Sequence, residues 1–310
     1  MFILCLIYFG AYDIVTTLSD QPVPAWEDLR TGRVNMHGSV SDRIGFRKNY
    51  KRRILSMLEI KNLYFQVDDE GQDKEIIRDI SLTIPDGKLV VITGPNGGGK
   101  STLARLIAGI EKPDSGRIYF NGEDITDLSI TDRARKGIGF AFQQPVKFKG
   151  IQVLDLLRLA AGKQIKISDA CEYLAAVGLC ARDYINREVN DSLSGGELKR
   201  IEIATLLAKS SALSIFDEPE AGIDLWSFQN LIEVFQNMRE NIKDSSILII
   251  SHQERILNIA DEVIVLKDGQ LTEQGRREEI LPGLIGTASA VAACRKSGVD
   301  LGKEENAGVQ

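Results

Sequence analysis

The chain has 310 residues, of which 43% are hydrophobic and 26% are charged. This is enough apolar material for a buried core in one large or two modest domains. The net charge of −6 argues against a broadly basic surface, and therefore against a nucleic-acid partner. The four cysteines are scattered without a C-x-x-C pair. They indicate neither a disulfide framework nor a structural zinc site, and they favour a reducing, cytoplasmic setting.

Residues 1–56 differ in pattern from the rest of the chain. Their apolar stretch "FILCLIYFGAY" is too short to span a bilayer. It is also unlike a signal peptide, because no basic residue precedes it. A regular strand pattern starts just after Met57. We expect residues 1–56 to be a non-native extension, with Met57 as the natural start and Arg52-Arg53 as a translated ribosome-binding site. The alternative is a disordered N-terminal arm; peptides from residues 1–50 in the native protein would contradict the first interpretation.

The first half of the remaining chain reads mainly as strands. Alternation of apolar and polar residues predicts a strand in "LEIKNLYFQV", and "DISLTI" and "KLVVITG" follow as further strands. A helix is predicted for "KSTLARLIAGI". The Asn-Gly pair in "RIYFNGEDI" predicts a hairpin, and "IGFAF" predicts a short buried strand.

The second half begins with helices and returns to strands. "VLDLLRLAAG" and "SDACEYLAAVGL" suit two helices, the second capped by Ser168 or Asp169. The apolar runs "ALSIF", "SILIIS" and "EVIVL" have parallel-strand character, with a helix in "WSFQNLIEVFQNMREN" and a final Asp268-Gly269 hairpin turn. These patterns predict an α/β domain over residues 57–285 with an antiparallel β edge, a helical subdomain at about 145–205, and a flexible tail over 286–310.

The segment "GPNGGGKST" follows an apolar strand and opens a helix. It fits the phosphate-loop pattern G-x-x-x-x-G-K-[ST], in which backbone N–H groups wrap phosphate oxygens. Lys100 is predicted to reach the β- and γ-phosphates, and Ser101 to offer a Mg²⁺ ligand. The predicted nucleotide-binding residues are Gly94, Pro95, Asn96, Gly97, Gly98, Gly99, Lys100, Ser101 and Thr102.

Polar side chains follow the predicted parallel strands at the end where such sheets bind ligands. Asp217 is predicted to hold Mg²⁺ through water, and Glu218 to act as general base on the attacking water. His252 follows the next strand and is placed to contact a γ-phosphate. Gln143, or its neighbour Gln144, could touch Mg²⁺ or the attacking water.

A second turn suited to phosphate occurs in "NDSLSGGELKR". Ser194 and Glu197 have the spacing of a capping box, and Gly195 and Gly196 leave the first helical turn bare. The less polar face of the helix that follows is predicted from Leu198, Ile201, Ala204, Thr205 and Ala208.

Taken in order, these motifs resemble those of the ATP-binding cassette (ABC) ATPases over roughly residues 57–280. The resemblance implies a phosphate-loop NTPase core with ATP and Mg²⁺ as cofactors, hydrolysis of ATP, and Asp224 in "AGIDL" as the D-loop residue. It also implies that "LSGGE" is the signature motif, which acts on a partner copy. Ser194 and Gly196 of one chain would meet the γ-phosphate held by the other, in an ATP-dependent homodimer.

Longer stretches resemble SufC, the ATPase of the SUF iron–sulfur cluster assembly system. They include "AFQQPVKFKGIQVLDLLRLA", "YINREVNDSLSGGELKRIEI" and "SHQERIL". Val67 stands where most transporter ATPases carry an aromatic residue against adenine, although Tyr64 and Phe65 lie close by. The segment "DEPEAGID" differs from the SufC pattern and is more similar to that of transporter ATPases. The resemblance implies a scaffold partner of the SufB/SufD type.

Two alternatives stay open at this point. The chain could be the motor subunit of a membrane transporter, whose partner is a permease and which also lacks membrane spans. A DNA-repair or ribosome-associated ABC protein fits less well, because only 50 positions separate Gln143 from Leu193 and a single cassette is present.

Overall fold

The computed structural model describes residues 57–69, 72–241 and 245–284. The predictions for residues 1–56 and 286–310 lie outside these described residues. Within them the strands are β1 (Leu58–Asp69), β2 (Gln72–Ile84), β3 (Leu89–Thr93), β4 (Ser115–Phe120), β5 (Glu123–Asp124), β6 (Ile138–Ala141), β7 (Leu213–Asp217), β8 (Ser246–Ile250), β9 (Glu262–Lys267) and β10 (Gln270–Arg276).

Helices connect these strands. They are α1 (Lys100–Ala108), α2 (Ile130–Arg135), α3 (Val153–Ala161), α4 (Ile167–Ala176), α5 (Ala181–Tyr184), α6 (Gly195–Lys209), α7 (Leu225–Asn241) and α8 (Glu254–Leu257). Residues 277–284 are also helical and reach the last described residue.

A six-stranded sheet forms the centre of the core, in the order β10-β9-β3-β8-β7-β6. All its neighbours are parallel except the β9–β10 hairpin. Every residue of β3, β7 and β8 is buried, as expected for parallel strands covered on both faces. The predicted parallel core is therefore confirmed, and the carboxyl ends of β3, β6, β7 and β8 lie at one edge.

The antiparallel edge is a second sheet in the order β2-β1-β4-β5. The predicted hairpins are present: Asn121 and Gly122 connect β4 to β5 with φ of 52° and 82°, and Asp268 and Gly269 connect β9 to β10. Strand β2 starts at Gln72, earlier than the apolar "DISLTI" pattern indicated. Its polar first half is held by cross-strand pairing with β1, which needs no apolar face.

Helices α3, α4, α5 and most of α6 lie in the range predicted for a helical subdomain, and one sequence prediction within that range is wrong. Helix α4 begins at Ile167 with Lys166 as its N-cap, so neither Ser168 nor Asp169 caps it. Instead the Asp169 carboxylate accepts a hydrogen bond from the Lys166 N–H at 3.2 Å. An acidic residue in the first turn can thus satisfy a helix-terminal N–H from inside the helix.

Helix α6 is buried on more than its predicted apolar face. Leu198, Ile201, Ala204, Thr205 and Ala208 are all buried, as predicted. So are Lys199 and Glu202, two charged residues that the apolar pattern did not include.

A buried arginine closes the C-terminal end of α1. Arg133 of α2 is 1% exposed and donates hydrogen bonds to the carbonyl oxygens of Leu106, Ile107 and Thr126. Burial lowers the pKa of Arg133 to about 10, opposed by the nearby carboxylates of Asp124 and Asp127. The guanidinium therefore supplies a buried donor to two carbonyls in the last turn of α1 and to one between β5 and α2.

Candidate active site

The phosphate loop connects β3 to α1. Gly94, Gly97 and Gly99 have φ of 137°, 79° and 90°, a region that side-chain-bearing residues rarely adopt. A Cβ on Gly94 would lie 1.9 Å from the Leu266 carbonyl oxygen of the neighbouring strand β9. Glycine is therefore required at Gly94 both by backbone conformation and by space.

Lys100 is the first residue of α1, and its side chain is folded back over the loop. Its Nζ donates to the carbonyl oxygens of Gly94 and Pro95, each at 2.9 Å. Burial lowers the pKa of Lys100, while the carboxylates of Glu218 and Asp217 act to raise it. The ammonium thus lies against the loop, close to two acidic side chains.

Ser101 and Asp217, which carry predicted metal-binding oxygens, lie in contact with each other. The Ser101 hydroxyl donates to Asp217 Oδ1 at 2.8 Å, and Asp217 is 2% exposed at the end of β7. Burial raises the pKa of Asp217, the Ser101 hydrogen bond lowers it, and Glu218 raises it further. A hydroxyl and a carboxylate beside a phosphate loop are the hard oxygen donors that Mg²⁺ prefers, so these residues fit that ion.

Glu218 and Gln143 are also in contact. The Gln143 Nε2 donates to Glu218 Oε2 at 2.5 Å. Glu218 has φ of 44°, a conformation strained for a residue with a side chain, and its N–H donates to the Ile250 carbonyl. Of the two candidate glutamines, Gln143 is the one that hydrogen-bonds to the predicted base; its contact with Mg²⁺ stays a prediction.

His252 lies just after β8, and no hydrogen bond joins it to Glu218 among the described residues. Its ring Nε2 lies 3.4 Å from Gln253 Nε2.

Glu220 is a further buried acidic residue near the site. Ser251, which precedes His252, donates its hydroxyl to the carboxylate of Glu220, whose other oxygen is buried without a hydrogen-bond partner. Burial raises the pKa of Glu220, opposed by that hydrogen bond. Sequence reasoning gave Glu220 no role, although it is the third acidic residue of "DEPE".

The signature segment is a capped helix start. The Glu197 N–H donates to Ser194 Oγ at 3.2 Å, and the Ser194 N–H donates to Glu197 Oε2 at 2.6 Å, as the spacing predicted. Tyr184 donates its hydroxyl to Glu197, and Arg187 lies nearby. Burial acts to raise the pKa of Glu197, but the hydrogen bonds from Tyr184 and Ser194 outweigh it and the pKa is lowered.

The first turn of this helix is open. A Cβ on Gly196 would meet nothing within 4 Å, and one on Gly195 would approach only the Gly222 carbonyl at 3.9 Å. Backbone N–H groups at a bare helix start favour an anion.

Asp224 precedes α7 and caps it. Its carboxylate accepts hydrogen bonds from the Ser227 N–H at 3.0 Å and the Ser227 hydroxyl at 2.7 Å. Its position in this single chain is thus explained by helix capping, and any contact across a dimer stays a prediction.

Val67 lies near the end of β1, and its side chain is 37% exposed. Tyr64, on the same strand, is 40% exposed. An exposed aliphatic side chain here is compatible with the predicted position beside adenine.

The described part of the chain has neither a membrane-spanning helix nor a cluster of metal-binding side chains. No helix there combines the length and apolarity needed to cross a bilayer. Nor do three or more histidine, cysteine or acidic side chains come together there in a way that could hold a metal ion.

Comparison with known proteins gives consistent matches. Residues 77–221 match the profile of the family described as "ABC transporter". The chain is 40% identical over 216 residues to the uncharacterized ABC transporter ATP-binding protein MJ0035 of Methanocaldococcus jannaschii, covering 67% of this chain and 86% of that protein. It is 34% identical over 220 residues to the sulfate/thiosulfate import ATP-binding protein CysA of Synechocystis, covering 69% of this chain and 60% of that protein.

A solved structure shares the fold. The dimeric post-hydrolysis state of the ATP-binding cassette MJ0796, bound to ADP and Pi, matches with a TM-score of 0.65 at 24% identity, covering 71% of this chain and 99% of that one. The predicted α/β architecture with an antiparallel sheet and helical parts is thereby confirmed.

Proposed function

We propose that two copies of this chain close around ATP and transmit that conformational change to a partner protein. The chain belongs to the ABC transporter family of ATP-binding cassettes, which hydrolyse ATP. The observation that carries this proposal is the meeting of two side-chain pairs beside one phosphate loop. Ser101 bonds to Asp217, and Gln143 bonds to Glu218.

Each pair has a distinct role in the proposed reaction. Lys100 would leave its carbonyl contacts to bind the β- and γ-phosphates, because a phosphate offers a stronger, charge-assisted hydrogen bond. Ser101 and Asp217 would hold Mg²⁺, which neutralises charge that develops on the phosphates. Glu218 would accept the proton of the attacking water, and Gln143 would orient its carboxylate.

The signature turn completes the site from the other copy. Ser194, Gly195 and Gly196 present an open helix start that suits a phosphate, while the chain's own loop already provides one phosphate cradle. The dimer would be two-fold symmetric, with each signature turn facing the partner's loop. In support, the MJ0796 cassette, which shares this fold, forms a dimer.

The partner we favour is a membrane permease subunit. Relatives from the comparison are described as ABC transporter and import ATP-binding proteins. The chain spans 60% of the import protein, so this assignment rests on the cassette alone.

A SufB/SufD-type scaffold is the second candidate. Val67 at the adenine position and the SufC-like flanks of the signature favour it. Purification from native cells would separate the two: a polytopic membrane protein in the complex supports the first candidate, and a SufB-like protein supports the second.

The hydrolysis and dimerisation are tested together by Glu218→Gln. We expect kcat to fall about 10²- to 10⁴-fold, since a general base contributes that much, while ATP binding persists. With ATP and Mg²⁺ the variant should accumulate as a dimer in analytical ultracentrifugation. Glu233→Gln on the exposed face of α7 removes the same charge as a control. Normal hydrolysis by Glu218→Gln would refute the role of Glu218.

A further inference from the structure

Two buried charged residues on α6 face the segment that carries Gln143. Lys199 and Glu202 have side chains only 1% and 5% exposed, and Lys199 Nζ lies 3.2 Å from Glu202 Oε2. Burial raises the pKa of Glu202, and the Lys199 charge opposes that rise. Neither residue belongs to the phosphate loop or to the signature turn.

Both members of the pair bind the backbone next to Gln143. Glu202 Oε1 accepts a hydrogen bond from the Phe142 N–H at 3.0 Å. Lys199 Nζ donates to the Phe142 carbonyl and lies 3.5 Å from the Gln143 carbonyl. The Phe142 ring packs edge-on against Phe140 of β6 at 4.9 Å, so Phe142 is held through both its backbone and its side chain.

A purely structural explanation exists. Strand β6 is at the edge of the six-stranded sheet, and Phe142 comes directly after it. The pair could merely satisfy backbone groups that lack a neighbouring strand. However, a buried ion pair contributes little stability beyond that of an apolar pair of similar volume, because removing two charges from water costs several kcal/mol. Stability alone therefore gives a weak reason for charges at these positions.

We propose that Lys199 and Glu202 are positioning residues that hold Gln143 against Glu218 and connect its position to the helix that begins with the signature turn. Glu202 lies eight residues after Ser194, which places the pair within about 12 Å of the helix start. The γ-phosphate held by the partner copy would contact Ser194 and displace α6. The Lys199–Glu202 pair would transmit that displacement to Phe142 and Gln143. This inference rests on the proposed roles of Gln143 and Glu218.

The decisive variant replaces the pair by apolar residues, Lys199→Met with Glu202→Leu. The double change should leave the protein folded, because no buried charge is left unpaired. If the pair positions Gln143, kcat for ATP hydrolysis should fall about 10- to 100-fold. The KM for ATP should stay the same, because neither residue contacts the phosphate loop.

The Gln143→Ala background shows whether the effect passes through Gln143. Adding the double change to Gln143→Ala should lower kcat by less than twofold, because coupled residues are non-additive. As a control, Lys209→Met removes another lysine of α6, a half-buried one that donates to the Ile138 carbonyl at the opposite end of β6. We expect its kcat to be unchanged, whichever way its melting temperature moves.

Each outcome is informative. A folded double variant with normal kcat would overturn the inference, as would an equal loss of kcat in the Gln143→Ala background. If Gln143→Ala alone left kcat unchanged, the proposed role of Gln143 would be wrong and the inference with it. Should the apolar pair prevent folding, Lys199→Gln with Glu202→Gln supplies a neutral pair that keeps an acceptor for the Phe142 N–H. We then expect an intermediate kcat, and a normal kcat would overturn the inference.

Discussion

Lys100 is a single residue whose surroundings explain both a resting contact and a binding role. It is buried beside the acidic Asp217 and Glu218, and it bonds to two carbonyl oxygens of its own loop. Carbonyl partners are neutral, whereas a nucleotide phosphate is charged. The ammonium therefore forms a stronger hydrogen bond when a phosphate replaces the carbonyl oxygens. The loop is thus prepared for a phosphate.

Lys100→Ala should weaken ATP binding about 100-fold, since a charge-assisted contact contributes about 2 to 3 kcal/mol. Titration calorimetry with the full chain measures the Kd directly. The matched control is Lys112→Ala, which removes an exposed ion pair with Asp127 on the loop after α1. Equal ATP affinity of the Lys100→Ala and wild-type proteins would refute the assigned role.

At the scale of elements, Arg133 ties helix α2 to the end of α1, the helix that begins at the phosphate loop. Arg133→Met would remove the guanidinium donor of three carbonyl oxygens, of which, among the described residues, only the Leu106 carbonyl keeps a backbone partner, the Gly109 N–H. We expect the free energy of unfolding to fall by about 3 kcal/mol. Urea denaturation measures it.

Arg135→Met is the control for that prediction. Arg135 is in the same short helix, and its exposed ion pair with Asp132 should contribute less than about 1 kcal/mol. A loss of stability no larger in Arg133→Met than in Arg135→Met would contradict the capping role.

Local patterns in the sequence predicted most elements for identifiable physical reasons. Parallel strands buried on both faces leave continuous apolar runs, as in "SILIIS", and hairpins need residues such as Asn121-Gly122 that tolerate positive φ. The phosphate loop and the capping box depend on neighbours in the chain, so spacing was sufficient to find them.

Contacts between distant residues could not be predicted in the same way. The Gln143–Glu218 bond joins residues 75 positions apart, and the Glu202–Phe142 bond joins residues 60 apart. A lysine and a glutamate at i and i+3 usually indicate a solvated face, so burial of Lys199 and Glu202 contradicts the ordinary pattern. The N-cap of α4 was misplaced because Asp169 acts from within the helix rather than before it.

In the proposed dimer, each active site is shared by two chains. One chain contributes the loop with Lys100, and the other contributes the turn with Gly196. Two inactive variants distinguish this arrangement from a site within one chain. Lys100→Ala disables the loop, and Gly196→Asp places a carboxylate where a phosphate should bind; a Cβ at that glycine meets nothing within 4 Å, so the fold should tolerate the change.

Mixing these two variants and measuring ATP hydrolysis is the most direct test. Neither variant alone should hydrolyse ATP appreciably. In a mixed dimer, the intact loop of Gly196→Asp meets the intact turn of Lys100→Ala, so we predict that the mixture recovers activity from one complete site per mixed dimer. If the mixture stays as inactive as its components although the mixed dimers form, the signature turn does not act on the partner's nucleotide and the account is wrong.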